Sequence, residues 1–292
     1  MATGFGFAAG EISLVLFTTL APSGALAFVL MGLPLFKSGL DAEVRTRLSK
    51  LLCIPLVVTM VGLVASATHL GNPDNALYVI AGIGRSPLST EVACAVLFLA
   101  VAGVFWLLTF WPRFGLAAQR IWLAVAIASA AVFVGAMALA YSRATIVTWD
   151  MWQVPVALCL NALVGGPLLA LASIRASRFP LGGAQAKALV AIPAACLVAS
   201  VAVYAAQGVS LAGIGNSFGT AIDLVPGFWP ALAAYFALGA AGTVLALAAG
   251  RFEAQRLHRR VMAYSFGGCL LTFAGIFIMR FIFYMTHMTV GL

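Results

Sequence analysis

Three histidines, eight acids and sixteen basic residues are all that this chain of 292 residues offers for acid–base chemistry. Their places matter more than their number. His69 stands in Thr68-His69-Leu70-Gly71-Asn72-Pro73, and His287 in Tyr284-Met285-Thr286-His287-Met288. Each lies where an apolar run gives out, and an imidazole with an ordinary pKa near 6.5 takes and gives a proton at neutral pH. Glu91 follows Ser89-Thr90 at the head of another apolar run, where it reads either as part of a helix cap or as a proton carrier. Arg280 lies inside the last apolar run, in Ile278-Met279-Arg280-Phe281-Ile282. An unpaired arginine at membrane depth costs about 2.5–3.5 kcal/mol. It is therefore expected to pair with an acid, Glu11 or Glu91, or to line a polar cavity, with Tyr284 one helical turn further on. His258, beside Arg259 and Arg260, reads as a solvated or headgroup-facing side chain.

The elements that must hold these groups are dictated by composition. The chain is 63% hydrophobic and 8% charged, with mean hydropathy +1.09. A soluble domain carries about a quarter charged residues, so a soluble enzyme, a disordered segment and a nucleic-acid binder are excluded, despite the net charge of +8. A bilayer core takes about 20 apolar residues per helix. Runs of that size fall at Ile12–Phe36, Leu51–Leu70, Glu91–Trp111, Ile121–Tyr141, Met151–Ser173, Lys187–Gln207, Phe228–Gly250 and Val261–Tyr284. The fold expected is all-α: one polytopic membrane domain over residues 1–292, with eight transmembrane helices. No basic residue precedes the first run, so that run is expected to be retained as a span.

Of the basic residues, all but Arg85, Arg143 and Arg280 fall in or beside the odd-numbered loops. Basic loops stay cytoplasmic, which places both termini on the outer, periplasmic side of a bacterial cytoplasmic membrane. Glu11, Asp74, Glu91, Asp150 and Asp223 then all map to the outer side. Span 1 ends Gly32-Leu33-Pro34-Leu35 and span 5 ends Gly165-Gly166-Pro167-Leu168. That echo fits a four-plus-four pseudo-repeat of about 1–143 and 144–292, or chance Gly-Pro punctuation. The cysteines, Cys53, Cys94, Cys159, Cys196 and Cys269, are scattered through apolar runs and form no CxxC pair. No iron–sulfur cluster and no metal site is expected in the chain. With His69 and His287 both at helix ends, bis-histidine haem is not expected either.

An interfacial acid–base set beside apolar helices suits a lipid-soluble molecule that exchanges protons. A quinol fits, and its electrons would leave to an acceptor outside this chain, so a redox partner is implied. The rival of another class is a transporter, which would carry broken helices and charges at the midplane.

Several stretches resemble the membrane-anchor subunits of bacterial dimethyl sulfoxide reductase and related complex iron–sulfur molybdoenzymes. They are Glu11 to Thr18, His69-Leu70-Gly71-Asn72-Pro73, Ser86 to Glu91, Thr148-Trp149, Gly165 to Leu169, Gln207-Gly208, and the ending Phe283-Tyr284 with His287 to Gly291. The resemblance implies a haem-free anchor that oxidises menaquinol or ubiquinol. The electrons pass to an iron–sulfur subunit, which serves a molybdopterin catalytic subunit. It implies His69 as the quinol-site residue, and the places of Glu91 and Arg280 in the sequence point to proton and charge chemistry beside it. Asn72, Arg85, Glu11, Tyr284 and His287 are expected around the quinol. The same resemblance extends to anchors of sulfite dehydrogenases, which run electrons into quinone.

Overall fold

The computed structural model describes residues 4–68, 75–111, 113–142, 144–216 and 219–288, with the backbone alone for 75–77 and 216. Among them, eight helices are long and apolar enough to cross a membrane. The first is α2 (Ile12–Gly32), continued by a 3₁₀ turn, Leu33–Phe36, and preceded by a short α1 (Phe5–Gly10). The second is α3 (Ala42–Leu51) running into α4 (Cys53–Thr68). A short α5 (Asn75–Ala81) precedes α6 (Pro87–Leu108). Then come α7 (Leu116–Ala140), α8 (Gln153–Ala176), α9 (Gly183–Gly213), α10 (Phe228–Ala254) and α11 (His258–Met285). A two-residue hairpin, β1 (Gly215–Asn216) with β2 (Gly219–Thr220), sits between α9 and α10.

Several boundaries differ from the sequence expectation, those of the second and third spans among them. The second span starts at Ala42, not Leu51, so Arg45, Arg47 and Lys50 ride on a helix and not in a loop. Asp41 caps it, its Oδ1 accepting from the amides of Glu43 and Val44 at 2.9 and 3.1 Å. Charge alone reads as loop here because hydropathy cannot see an amphipathic helical entry. The third span starts at Pro87, with Ser86 as its cap. Proline suits the first turn, where its missing N–H costs nothing. The cap is therefore not Ser89 or Thr90, and Glu91 lies inside the helix, beyond its first turn.

The helices α2 and α8 are the most buried spans and form the centre of the bundle. They approach closely because Gly165 and Gly166 face Ser23 and Leu26, leaving no room for a Cβ. Glycine does the same between α10 and α11, where Gly242 and Gly268 each abut the other's carbonyl. In lipid, close packing of small residues replaces the hydrophobic drive as the source of association. A polar knot ties α8, α9 and α10 midway: Asn161 Nδ2 donates to Tyr204 Oη at 2.7 Å and Tyr235 Oη donates to Asn161 Oδ1 at 3.0 Å, all buried.

The ends of α8 and α10 repeat one device. Arg178 and Arg256 sit in the left-handed region, with φ of 54° and 59°. The amides of Phe179 and Leu257 reach back to the carbonyls of Ile174 and Phe252, at 3.3 and 3.0 Å. These are Schellman caps with arginine where glycine is usual, at a cost of about 1 kcal/mol each.

Candidate quinol site

Glu91, Arg280, Tyr284, Glu11 and His287 gather at the end of the bundle that carries the even-numbered loops. Glu91 on α6 and Arg280 on α11 are each 1% exposed. Among the described residues, no carboxylate stands within ion-pair distance of Arg280, so the expected direct pair with Glu91 or Glu11 is not made. Glu91 nonetheless feels the Arg280 charge. What holds the guanidinium is different. Its Nε donates to Thr18 Oγ1 on α2 at 2.9 Å. Its carbon lies 4.3 Å from the ring centre of Phe283, 5.4 Å from Tyr141 and 5.7 Å from Tyr284. A desolvated cation over aromatic faces gains about 2 kcal/mol, which offsets much of the burial cost.

An aromatic run leads from there to the surface. Trp149 stacks on Phe283 at 4.6 Å and meets His287 edge-on at 5.4 Å. His287 stacks on Phe7 of α1 at 4.1 Å, and Phe7 is exposed. The loop bearing Trp149 is fixed to α11 by Thr148, whose Oγ1 donates to the Thr286 carbonyl at 2.6 Å. Partial burial holds the His287 imidazole below its ordinary range, while the nearby Glu11 charge pulls it back up.

Several polar atoms here are buried yet make no hydrogen bond among the described residues: Glu91 Oε1, Arg280 Nη2 and Trp149 Nε1. The buried hydroxyls of Tyr141 and Tyr284 face each other, with Thr18 beside Tyr284. Glu91, Arg280 and both hydroxyls lie close enough together to act on one another electrostatically. Native interiors leave few such atoms unsatisfied. A convergent group of donors and an acceptor with open valences is what a small polar ligand would complete.

The structure thus brings together Glu91, Arg280 and Tyr284, with Glu11 and His287 beside them. Arg85 is exposed in the turn ahead of α6 and joins none of these contacts. His69 and Asn72 lie outside the described residues. Sequence reasoning gives Tyr141 no role in the site. Trp149 and Phe283 enter only through matched stretches. Among the described residues no three of His, Cys, Asp and Glu cluster in a way that would hold a metal.

Comparison with known proteins sets this geometry in context. Residues 1–285 match the family model described as DMSO reductase anchor subunit (DmsC). The protein is 33% identical over 285 residues to the YnfH subunit of an anaerobic dimethyl sulfoxide reductase of Escherichia coli K12, covering 97% of this chain and 96% of that one. It is 32% identical over 283 residues to the C subunit of the anaerobic dimethyl sulfoxide reductase of the same organism, with the same coverage. The corresponding C subunit from Haemophilus influenzae is 28% identical over 283 residues. With its whole bundle covered at this level, the protein is a multi-pass membrane protein that belongs to the DMSO reductase anchor subunit (DmsC) family.

Proposed function

We propose that this chain anchors a dimethyl sulfoxide reductase-like complex and oxidises menaquinol for it. The observation that carries the reading is the buried set of unsatisfied groups around Glu91 and Arg280. Oxidation of a quinol to a quinone releases two protons and two electrons. His69 takes a proton from one quinol hydroxyl. Glu91 serves the other and relays protons outward by way of Glu11 and His287. Arg280, held rigid by Thr18 and the aromatic rings, stabilises negative charge on the quinol oxygen as the proton leaves. Such fixed charge in a dry site is worth far more than in water. Tyr284, Asn72 and Arg85 complete the quinol surroundings. The electrons leave one at a time to an iron–sulfur subunit, which hands them to a molybdopterin catalytic subunit. Ubiquinol would be handled by the same groups.

The skew of basic residues to the odd loops supports both termini facing the periplasmic side of the inner membrane, with the partners docked there. The central places taken by α2 and α8, spans 1 and 5, fit the four-plus-four division of the single domain.

The test separates anchoring from chemistry. In the assembled complex, Glu91→Gln and His69→Ala are expected to lower quinol-dependent turnover by about 10²-fold, the usual scale for a lost acid–base group. Reduction driven by an artificial viologen donor, which bypasses the anchor, should be unchanged. Quinol turnover that survives both changes would sink the reading.

A further inference from the structure

The opposite end of the bundle holds a cavity of about 300 Å³, lined by Arg47, Lys50, Leu51, Ala176, Ser177 and Arg178. It opens where the charged α3 passes into the apolar α4, against the end of α8. Three of its six lining residues are cations. Glu43 offsets one of them, 3.7 Å from Arg47 Nη1, yet Arg47 Nε remains buried with no hydrogen-bond partner among the described residues. The negative end of the α8 dipole would disfavour an anion, but two of its terminal carbonyls, Ile174 and Arg175, are already taken by the amides of Phe179 and Arg178. The Ser177 hydroxyl is likewise spent on the Ile174 carbonyl, at 2.6 Å. Polar capacity for a ligand therefore rests with the cations. Leu51 and Ala176 complete the lining with apolar surface. Trp106 donates its Nε1 to the Lys50 carbonyl at 2.9 Å, and an indole so placed marks the headgroup level of a bilayer.

We propose that this cavity is a binding site for a phosphoester anion, the headgroup of an anionic phospholipid, seated between the second and fifth spans. Basic pockets between transmembrane helices are suited to such groups. The site is independent of the quinol reading. It is also more than a solvated charge run, because Arg47 Nε is buried there without a hydrogen-bond partner among the described residues.

The full-length protein, purified in detergent, is tested by native mass spectrometry and thermal shift with phosphatidylglycerol, phosphatidylcholine or inorganic phosphate. Wild type should retain phosphatidylglycerol and not phosphatidylcholine. A variant with Arg47→Gln, Lys50→Gln and Arg178→Gln together should lose it, with affinity falling about fivefold per cation removed. Arg259→Gln with Arg260→Gln, a charge change in another basic loop, should leave retention at the wild-type level. Arg178→Gly relieves the backbone, so it should fold at least as well as wild type and still bind about fivefold more weakly. A thermal shift from inorganic phosphate that vanishes in the triple variant, without retained lipid, assigns the same site to free phosphate and overturns the lipid assignment. Equal retention in wild type and triple variant, equal loss in the control, or unchanged binding by Arg178→Gly overturns the proposal.

Discussion

Among the described residues, two arginines are deeply buried, at opposite ends of the bundle, and they are treated differently. Arg175 on α8 makes three hydrogen bonds: Nε donates to Glu253 Oε2 at 3.1 Å, and Nη1 to the Ala246 carbonyl at 2.9 Å and Ser265 Oγ at 3.2 Å. It staples α8, α10 and α11 together. Arg280 has one hydrogen bond, to Thr18, three ring faces and an unused Nη2. A buried charge tied to a carboxylate, a carbonyl and a hydroxyl on two other helices is committed to the fold. A buried charge left partly open is costly unless something arrives to complete it. The contrast separates a cation that holds the fold from one held ready for chemistry.

The sharpest way to break that contrast is Arg280→Gln. It should cut quinol-dependent turnover by about 10²-fold while barely moving the melting temperature, and viologen-driven turnover should persist. Should it instead lower stability as much as a change at Arg175, the distinction collapses. Arg175→Met should do the reverse. It leaves Glu253 and Ser265 without their cation, and should destabilise by about 2 kcal/mol, read as an earlier unfolding transition in detergent, with turnover per folded molecule unchanged. Glu253→Gln should cost less than about 1 kcal/mol, since half of that side chain is in solvent and screened.

The smallest effect belongs to His287. Its imidazole is held below the ordinary value of 6.5, so the unfolded chain binds more protons than the folded one as acid is added. The stability it contributes is complete above about pH 6.5 and is lost as pH falls through the lowered folded value. Acid should therefore loosen the Phe7–His287 stack, seen as faster amide exchange in α1. His287→Phe should remove that pH dependence.

How far the sequence can be read depends on the signal each residue carries. Eight apolar runs announce eight spans because lipid leaves the backbone few alternatives. Arg280 and Tyr284 are legible as a pair because one helical turn fixes their spacing. Tyr141 and Phe283 are not, since an aromatic residue in an apolar stretch looks the same whether it cradles a cation or faces lipid. Arg175 reads as a loop charge, though it lies in the last turn of α8 and is buried against Glu253, 78 residues on. The pairing depends on three helices packing together, and local pattern does not encode that. Ser89 and Thr90 resemble caps for Glu91's helix because hydropathy places the helix start too late.

The bond from Arg280 to Thr18 joins residues 262 positions apart. That hydrogen-bonding partner lies in the first span, so the arginine's cradle closes when the last span docks against the first. A nascent or truncated anchor, however well its earlier helices have inserted, lacks this cation. In the proposed role, competence to draw electrons from the membrane pool is thereby tied to completion of the chain, which guards against half-built anchors leaking reducing equivalents.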